Sequence, residues 1–272
     1  MLIKDITSCS TIAVRGLDNQ LIYQMNKIRP NLLERIDDLN VQLGEAVHPW
    51  LQRVAKECLK KAIASRGQTL IINSAYRTIA GQALLREHYE RGRCGIVAAA
   101  LPGQSNHNNA SSIDTEDAYG WEPYLEEHGW NKLGDFDPMH FDCSSCQDIL
   151  RYSVVAFQQL WNTCRPKDRM AEDGRLGPAT LSRLRYAPAE GFPDVEGCPR
   201  LLKLTEPYQI GNDVGRLQLA LKKAGISFRA DKVFGPETAA AIIQFQRSRS
   251  LLADGVPGPA TLKALGLATK IN

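Results

Sequence analysis

Three times in its C-terminal third the chain returns to the same turn. Asp173-Gly174-Arg175-Leu176-Gly177-Pro178-Ala179-Thr180-Leu181 comes back as Asp231-Lys232-Val233-Phe234-Gly235-Pro236-Glu237-Thr238-Ala239, and again as Asp254-Gly255-Val256-Pro257-Gly258-Pro259-Ala260-Thr261-Leu262. A sequence that repeats has to fold as repeated units, because each copy carries the same local signals. The signal here is a turn with Asp and Gly, then a Gly-Pro that starts a helix, where proline is tolerated in the first turn. An amphipathic segment precedes every copy: Phe157-Gln158-Gln159-Leu160, Leu217-Gln218-Leu219-Ala220-Leu221, or Phe245-Gln246. The pattern predicts small helical units around a shared core. Pro188 to Pro207, rich in Pro and Gly, predicts a linker between the first copy and the other two.

The rest of the chain alternates helical and extended signals. Asn19 to Met25 and Asn31 to Leu39 carry apolar residues at mixed helical spacing, with Arg29-Pro30 as a break between them. Val47, Leu51, Val54, Cys58, Leu59, Ala62 and Ile63 recur every three or four positions, which predicts an amphipathic helix from Val47 to Arg66 that Gly67 stops. Thr69 to Ser74 reads as a short buried strand, so Arg77 emerges at a strand end, where a rigid element can aim it. Helices are predicted over Gln82 to Arg91 and Trp121 to His128, the latter histidine belonging to the helix end.

Between those helices lies the stretch with the most chemistry. Gln104-Ser105-Asn106-His107-Asn108-Asn109-Ala110-Ser111-Ser112-Ile113-Asp114 is followed by Asp137-Pro138-Met139-His140-Phe141. His107, Asp114 and His140 are two imidazoles and a carboxylate, a ligand set suited to a catalytic zinc that keeps a fourth position open. Asp137, three residues before the last histidine, is placed to accept a proton from water. The asparagines and serines around His107 offer hydrogen bonds that would fix its tautomer.

These residues resemble the zinc D-Ala-D-Ala peptidase family, which includes cell-wall D,D-carboxypeptidases and endolysins cutting the L-alanyl-D-glutamate bond. The family pattern, Ser-x-x-Arg, then Ser-x-His-x6-Asp, then Glu or Asp-x-x-His, is read here in Ser74 to Arg77, Ser105 to Asp114 and Asp137 to His140. The resemblance covers roughly residues 45–145. It implies the hedgehog-like α+β fold and one Zn2+ per chain on His107, Asp114 and His140, with Asp137 as general base. Arg77 would bind substrate and stabilise the oxyanion, a task that suits a permanently charged guanidinium. Ser74, Ser105 and Trp130 would line the substrate site. Asp137 in place of Glu leans toward the endopeptidase branch. Ala110 stands where the family has Gly, so a tight turn there would be strained or rebuilt, and Ser112 replaces a small apolar residue.

The repeats in turn resemble the bacterial peptidoglycan-binding module, a three-helix all-α fold, complete from Val214 to Leu265 and partial from Ser153 to Leu184. The expected organisation is an N-terminal cap (1–44), a zinc peptidase domain (45–150), a partial repeat (151–187), a linker (188–210) and a module (211–272). The expected partners are peptidoglycan stem peptides and glycan. An inactive protein that keeps the peptidase fold and only binds the wall is the alternative.

Composition sets bounds on this reading. At 272 residues the chain has room for two or three domains, and a net charge of +3 is too small to imply nucleic acid. No run of apolar residues is long enough to span a membrane. The N-terminus lacks the basic start and apolar run of a classical signal, so action at the wall would need another export route or lysis. Seven cysteines, an odd number, argue against a complete disulfide framework. Cys143-Ser144-Ser145-Cys146 has the spacing of a metal knuckle, a redox pair or a local disulfide, and we read it as a solvent-side turn.

Overall fold

The computed structural model describes residues 1–196 and 198–267; Gly197, assigned above to the linker, and residues 268–272, assigned to the C-terminal module, lie outside the described residues. The first long element, α1 (Arg15–Ile28), ends just before Arg29-Pro30, as the missing proline N–H requires. The segment after it is not helical. It supplies β1 (Leu33–Arg35) and β2 (Val41–Leu43). The helix expected from Val47 starts late for the same reason. Pro49 disfavours helix at His48, so β3 (Trp50–Gln52) pairs antiparallel with β1, and α2 (Arg53–Arg66) begins only afterwards. Gly67 closes α2 in the left-handed conformation, as predicted.

Then come β4 (Leu70–Ser74), α3 (Ile79–Glu90), β5 (Ser112–Thr115), α4 (Ala118–Glu127), β6 (Trp130–Lys132) and β7 (His140–Cys143). Five strands form one sheet in the order β2-β4-β5-β7-β6, with β2 and β4 parallel and the other pairs antiparallel. Alternation along the strands divides its faces. Ile113 and Phe141 point into a core with Leu59 and Ile63 of α2 and Trp121 and Leu125 of α4. Ser112, Asp114, His140 and Asp142 are left on the opposite face.

A second core joins sequence-distant parts. Leu17, Leu21 and Met25 of α1 pack with Phe157, Leu160 and Trp161 of α5 (Leu150–Cys164), Leu184 of α6 (Pro178–Arg185), and Phe192. The N-terminal segment and the first repeat copy thus share one core. Residues beyond Ala187 hold to the same body. Gln20 donates to the carbonyls of Phe192 and Cys198 at 2.9 and 3.0 Å and accepts from the Phe192 amide at 2.7 Å. A Cβ on Gly16 would collide with the Glu190 carbonyl, so α1 and this segment meet backbone to backbone.

The C-terminal unit follows β8 (Gln209–Ile210) and contains α7 (Asn212–Lys223), β9 (Val233–Phe234), α8 (Pro236–Ser248) and α9 (Pro259–Ala264) around Val214, Leu217, Phe234, Ile242 and Phe245. The reason the turn repeats lies in three buried glutamines. Gln218 donates to Asp231 at 3.0 Å and to the Thr238 hydroxyl at 3.0 Å, and accepts from the Lys232 amide at 2.8 Å. Gln246 makes the same contacts to Asp254, Thr261 and the Gly255 amide at 2.9, 3.2 and 3.0 Å. Gln158 repeats them with Asp173, Thr180 and the Gly174 amide at 2.9, 3.4 and 2.9 Å. A buried amide with two donors and an acceptor needs all these partners, which is why Asp and Thr keep their spacing in each copy.

The cysteines differ from expectation. Cys9 and Cys94 form a disulfide, while Cys143 and Cys146 are free. Ser144 and Ser145 are exposed, but Cys143 is a core residue in the cluster against which Cys58 of α2 packs, so the pair is not a solvent-side turn. A hydrogen bond from Cys146 lowers the Cys143 thiol to about 7. No described helix is long and apolar enough to cross a membrane.

Candidate metal centre

Two strands and one helical turn bring the predicted ligands together. Asp114 and His140 are direct cross-strand partners on β5 and β7, so their side chains rise side by side from one face. On β4 a register shift between Ile72 and Ser74 lets Ile72 stay opposite Thr115 while Ser74 pairs with Asp114. That extra residue is a bulge, and it turns Ser74 to the open face. His107 arrives on a 3-10 turn (Asn106–Asn109) leading into β5.

This turn is held by its backbone. The Arg77 amide donates to the His107 carbonyl at 3.1 Å, and the Asn108 side chain donates to the Arg77 carbonyl at 2.6 Å. Asn109 accepts from the Ile149 amide at 3.1 Å. The asparagines therefore fix the loop rather than the imidazole. The His107 tautomer is set by Ala75, whose carbonyl lies 2.7 Å from Nδ1; a carbonyl only accepts, so Nδ1 carries the proton and Nε2 is free. The turn ends on Ala110 at φ 51°, so the left-handed conformation expected of glycine is adopted here by alanine.

His107, Asp114 and His140 offer donor atoms within 4.8 Å of one another. Asp114 Oδ2 is 3.3 Å from His107 Nε2, and Asp114 Oδ1 is 2.9 Å from His140 Nδ1. Ligands about 2.0–2.1 Å from a tetrahedral zinc stand roughly 3.3 Å apart, so the donor set fits such an ion. Its electrostatics fit a cation as well. Burial pushes the Asp114 carboxyl up, but the adjoining imidazoles of His107 and His140 outweigh it and hold the group well below the usual carboxylate range. Burial would lower His140, yet the carboxylates of Asp114 and Asp142 raise it to about 9. Two carboxylates, Asp114 and Asp142, thus flank His140, and a divalent ion would offset their charge.

His107, Asp114 and His140 line an open cleft of about 320 Å³ together with Arg77, Ser105 and Asp137. Asp137 is exposed and makes no salt bridge or side-chain hydrogen bond among the described residues. Arg77 is half-buried and donates to Ser74 Oγ at 3.1 Å and to Gln82 Oε1 at 3.2 Å. Burial pulls its pKa down and Asp114 pushes back. Ser74 does not line the cleft with these residues but braces Arg77. Trp130 is corrected more sharply. It is fully buried in the core behind the sheet, because it alternates with Asn131 on the β6 edge and faces α2 and α4, and it cannot touch a substrate.

Sequence reasoning missed Asp142. Its Oδ1 lies 2.9 Å from His140 Nε2 and accepts from the Ser112 hydroxyl at 2.5 Å, while Oδ2 accepts from Asn106 at 2.7 Å. The available signal was position: two residues after a strand histidine, a side chain shares its face.

Comparison with known proteins bears on the C-terminal unit and on one relative. Residues 210–265 match the family described as "Putative peptidoglycan binding domain". The chain is also similar to a "Probable N-acetylmuramoyl-L-alanine amidase" of Bacillus licheniformis, 41% identical over 61 residues. That match covers 21% of this chain and spans only 17% of the relative's length.

Proposed function

We propose that this chain is a zinc-dependent peptidase that hydrolyses peptidoglycan stem peptides, held at the wall by its C-terminal module. One observation carries the reading: His107, Asp114 and His140 converge in the same cleft as Asp137 and Arg77. These two imidazoles and the carboxylate would hold zinc, which would supply Lewis acidity to the scissile carbonyl and to the attacking water. Asp137, free and facing the cleft, takes the proton from that water and returns it to the leaving amine. Arg77, braced by Ser74 and Gln82, holds the substrate carboxylate or the developing oxyanion. Ser105 contributes a hydroxyl to the cleft wall. The match of residues 210–265 supports delivery to peptidoglycan, and action at the cell wall follows from it.

The test is mass spectrometry of defined muropeptides after incubation with the protein, with and without a zinc chelator. Chelator-sensitive loss of the terminal D-alanine would identify a carboxypeptidase, and a cut between L-alanine and D-glutamate an endopeptidase. Release of the whole stem peptide from muramic acid would instead favour an amidase, a reading supported by the amidase relative. His107→Ala should lose zinc and hydrolysis together, whereas Asp137→Asn should keep the metal and lose hydrolysis. No cleavage of any muropeptide by zinc-loaded protein, with binding to insoluble wall intact, would leave a protein that only binds.

A further inference from the structure

We infer that Asp142 is a positioning residue that frees His140 Nδ1 for the metal, with Ser112 and Asn106 holding it in place; this rests on the metallopeptidase reading. The geometry makes the question unavoidable. His140 stands between two carboxylates, with Nδ1 2.9 Å from Asp114 and Nε2 2.9 Å from Asp142. A neutral imidazole has one proton, and either oxygen can accept it. If the proton sits on Nδ1, it points at Asp114 and occupies the lone pair that would bind the ion. If it sits on Nε2, Nδ1 is open. Asp142 therefore decides whether the third ligand is available.

The sheet builds this device from strand periodicity alone. Asp142 follows His140 by two residues on β7, and its direct partner on β5 is Ser112, just as Asp114 is the partner of His140. Four side chains make a square on one face. Ser112 is fully buried, and its only side-chain partner among the described residues is Asp142. Asn106 donates from the turn that carries His107, so one carboxylate links the surroundings of two of the ligands. Ser112, where the resembled family has a small apolar residue, thus has a reason to be polar here: it holds the carboxylate that orients His140. Such outer carboxylates fix ring orientation and tautomer, and their loss typically weakens metal binding about 10–100-fold.

The experiment uses metal-free full-length protein labelled with 15N-histidine, read by long-range 1H–15N spectra above the His140 titration, with the signal assigned by its loss in His140→Gln. The expected result is a proton on Nε2 in the wild type that moves to Nδ1 in Asp142→Ala. Zinc competition against a chelator, likewise above the His140 titration, where protons compete least, should then show weakening of about 10–100-fold in that variant. Ser112→Ala should give a smaller loss alone and none in the Asp142→Ala background. If Asp142→Ala fails to fold, Asp142→Asn and Ser112→Ala carry the same comparison. An unchanged tautomer, or unchanged zinc affinity above the His140 titration, would overturn the inference. Wild-type protein that takes up no zinc would instead overturn the metallopeptidase reading, while the tautomer spectra still decide the role of Asp142.

Discussion

Zinc binding to this cleft should be strongly pH-dependent, and its size can be worked from one group. Without metal, the His140 pKa is raised to about 9 by Asp114 and Asp142 against the effect of burial. A ligand nitrogen must lose its proton before it binds a metal, so the apparent affinity falls as pH drops below that value. Asp114 stays ionised across the neutral range, because the two imidazoles hold its carboxyl far down despite burial. Between pH 9 and pH 7, proton competition at His140 alone should weaken zinc about 50-fold, equivalent to about 2.3 kcal/mol. The assay is competition with a chelator whose own pH dependence is known, supplemented by calorimetry in two buffers to count the proton released. A change below about threefold over that range would refute the argument, since His140 would then be neutral or not a ligand. The sign for stability is opposite. A raised histidine pKa stabilises the metal-free fold below its ordinary value of about 6.5, and that contribution is lost as pH rises through about 9.

Other perturbations test other parts of the molecule. Gln218→Ala should destabilise the C-terminal unit by about 2–4 kcal/mol, because Asp231, Thr238 and the Lys232 amide lose a shared buried partner, and wall pull-down should fail before cleavage of soluble peptides does. Breaking the Cys9–Cys94 disulfide, separated by 85 residues, should lower stability by up to about 4–5 kcal/mol in the chain-entropy estimate, read as a drop in the urea midpoint under reductant or in Cys94→Ser. Ala110→Gly should be neutral or stabilise by up to about 1 kcal/mol in thermal melts, since glycine relieves the left-handed backbone at the loss of one buried methyl. Clear destabilisation would mean that the methyl group matters more than the strain.

The sequence exposed the cluster of His107, Asp114 and His140 because metal chemistry restricts residue types and their spacing survives folding. It also exposed β4, α3 and α4, whose patterns are local. It hid what depends on partners across the sheet. Asp142 means little until Ser112 and His140 are known to flank it. The bulge that turns Ser74 cannot be read from alternation, which would have placed Ser74 on the core face with Ile72. Trp130 was assigned to substrate by its neighbourhood in the chain, but a strand sends successive residues to opposite sides. The repeated Asp and Thr looked like turn residues because the glutamine that joins them lies one helix earlier.

The backbone contact between Gly16 and Glu190 bears on the order in which the molecule comes together. Everything that encloses the sheet core, from Ile36 to Cys143, is available once the first half of the chain has been made. The helix made before it, α1, meets α3 and β1 in that half, but its most extensive partner is α5, with Phe157 and Trp161, and Leu184 and Phe192 come later still. Contacts so distant in sequence form late, because loop closure must precede the gain from packing. During synthesis the earliest helix is therefore the last to find its place, and its apolar face is the stretch that a chaperone would meet. Pulse-labelled hydrogen exchange should protect β5 and β7 before α1, leaving the metal centre assembled ahead of the segment that precedes it in the chain.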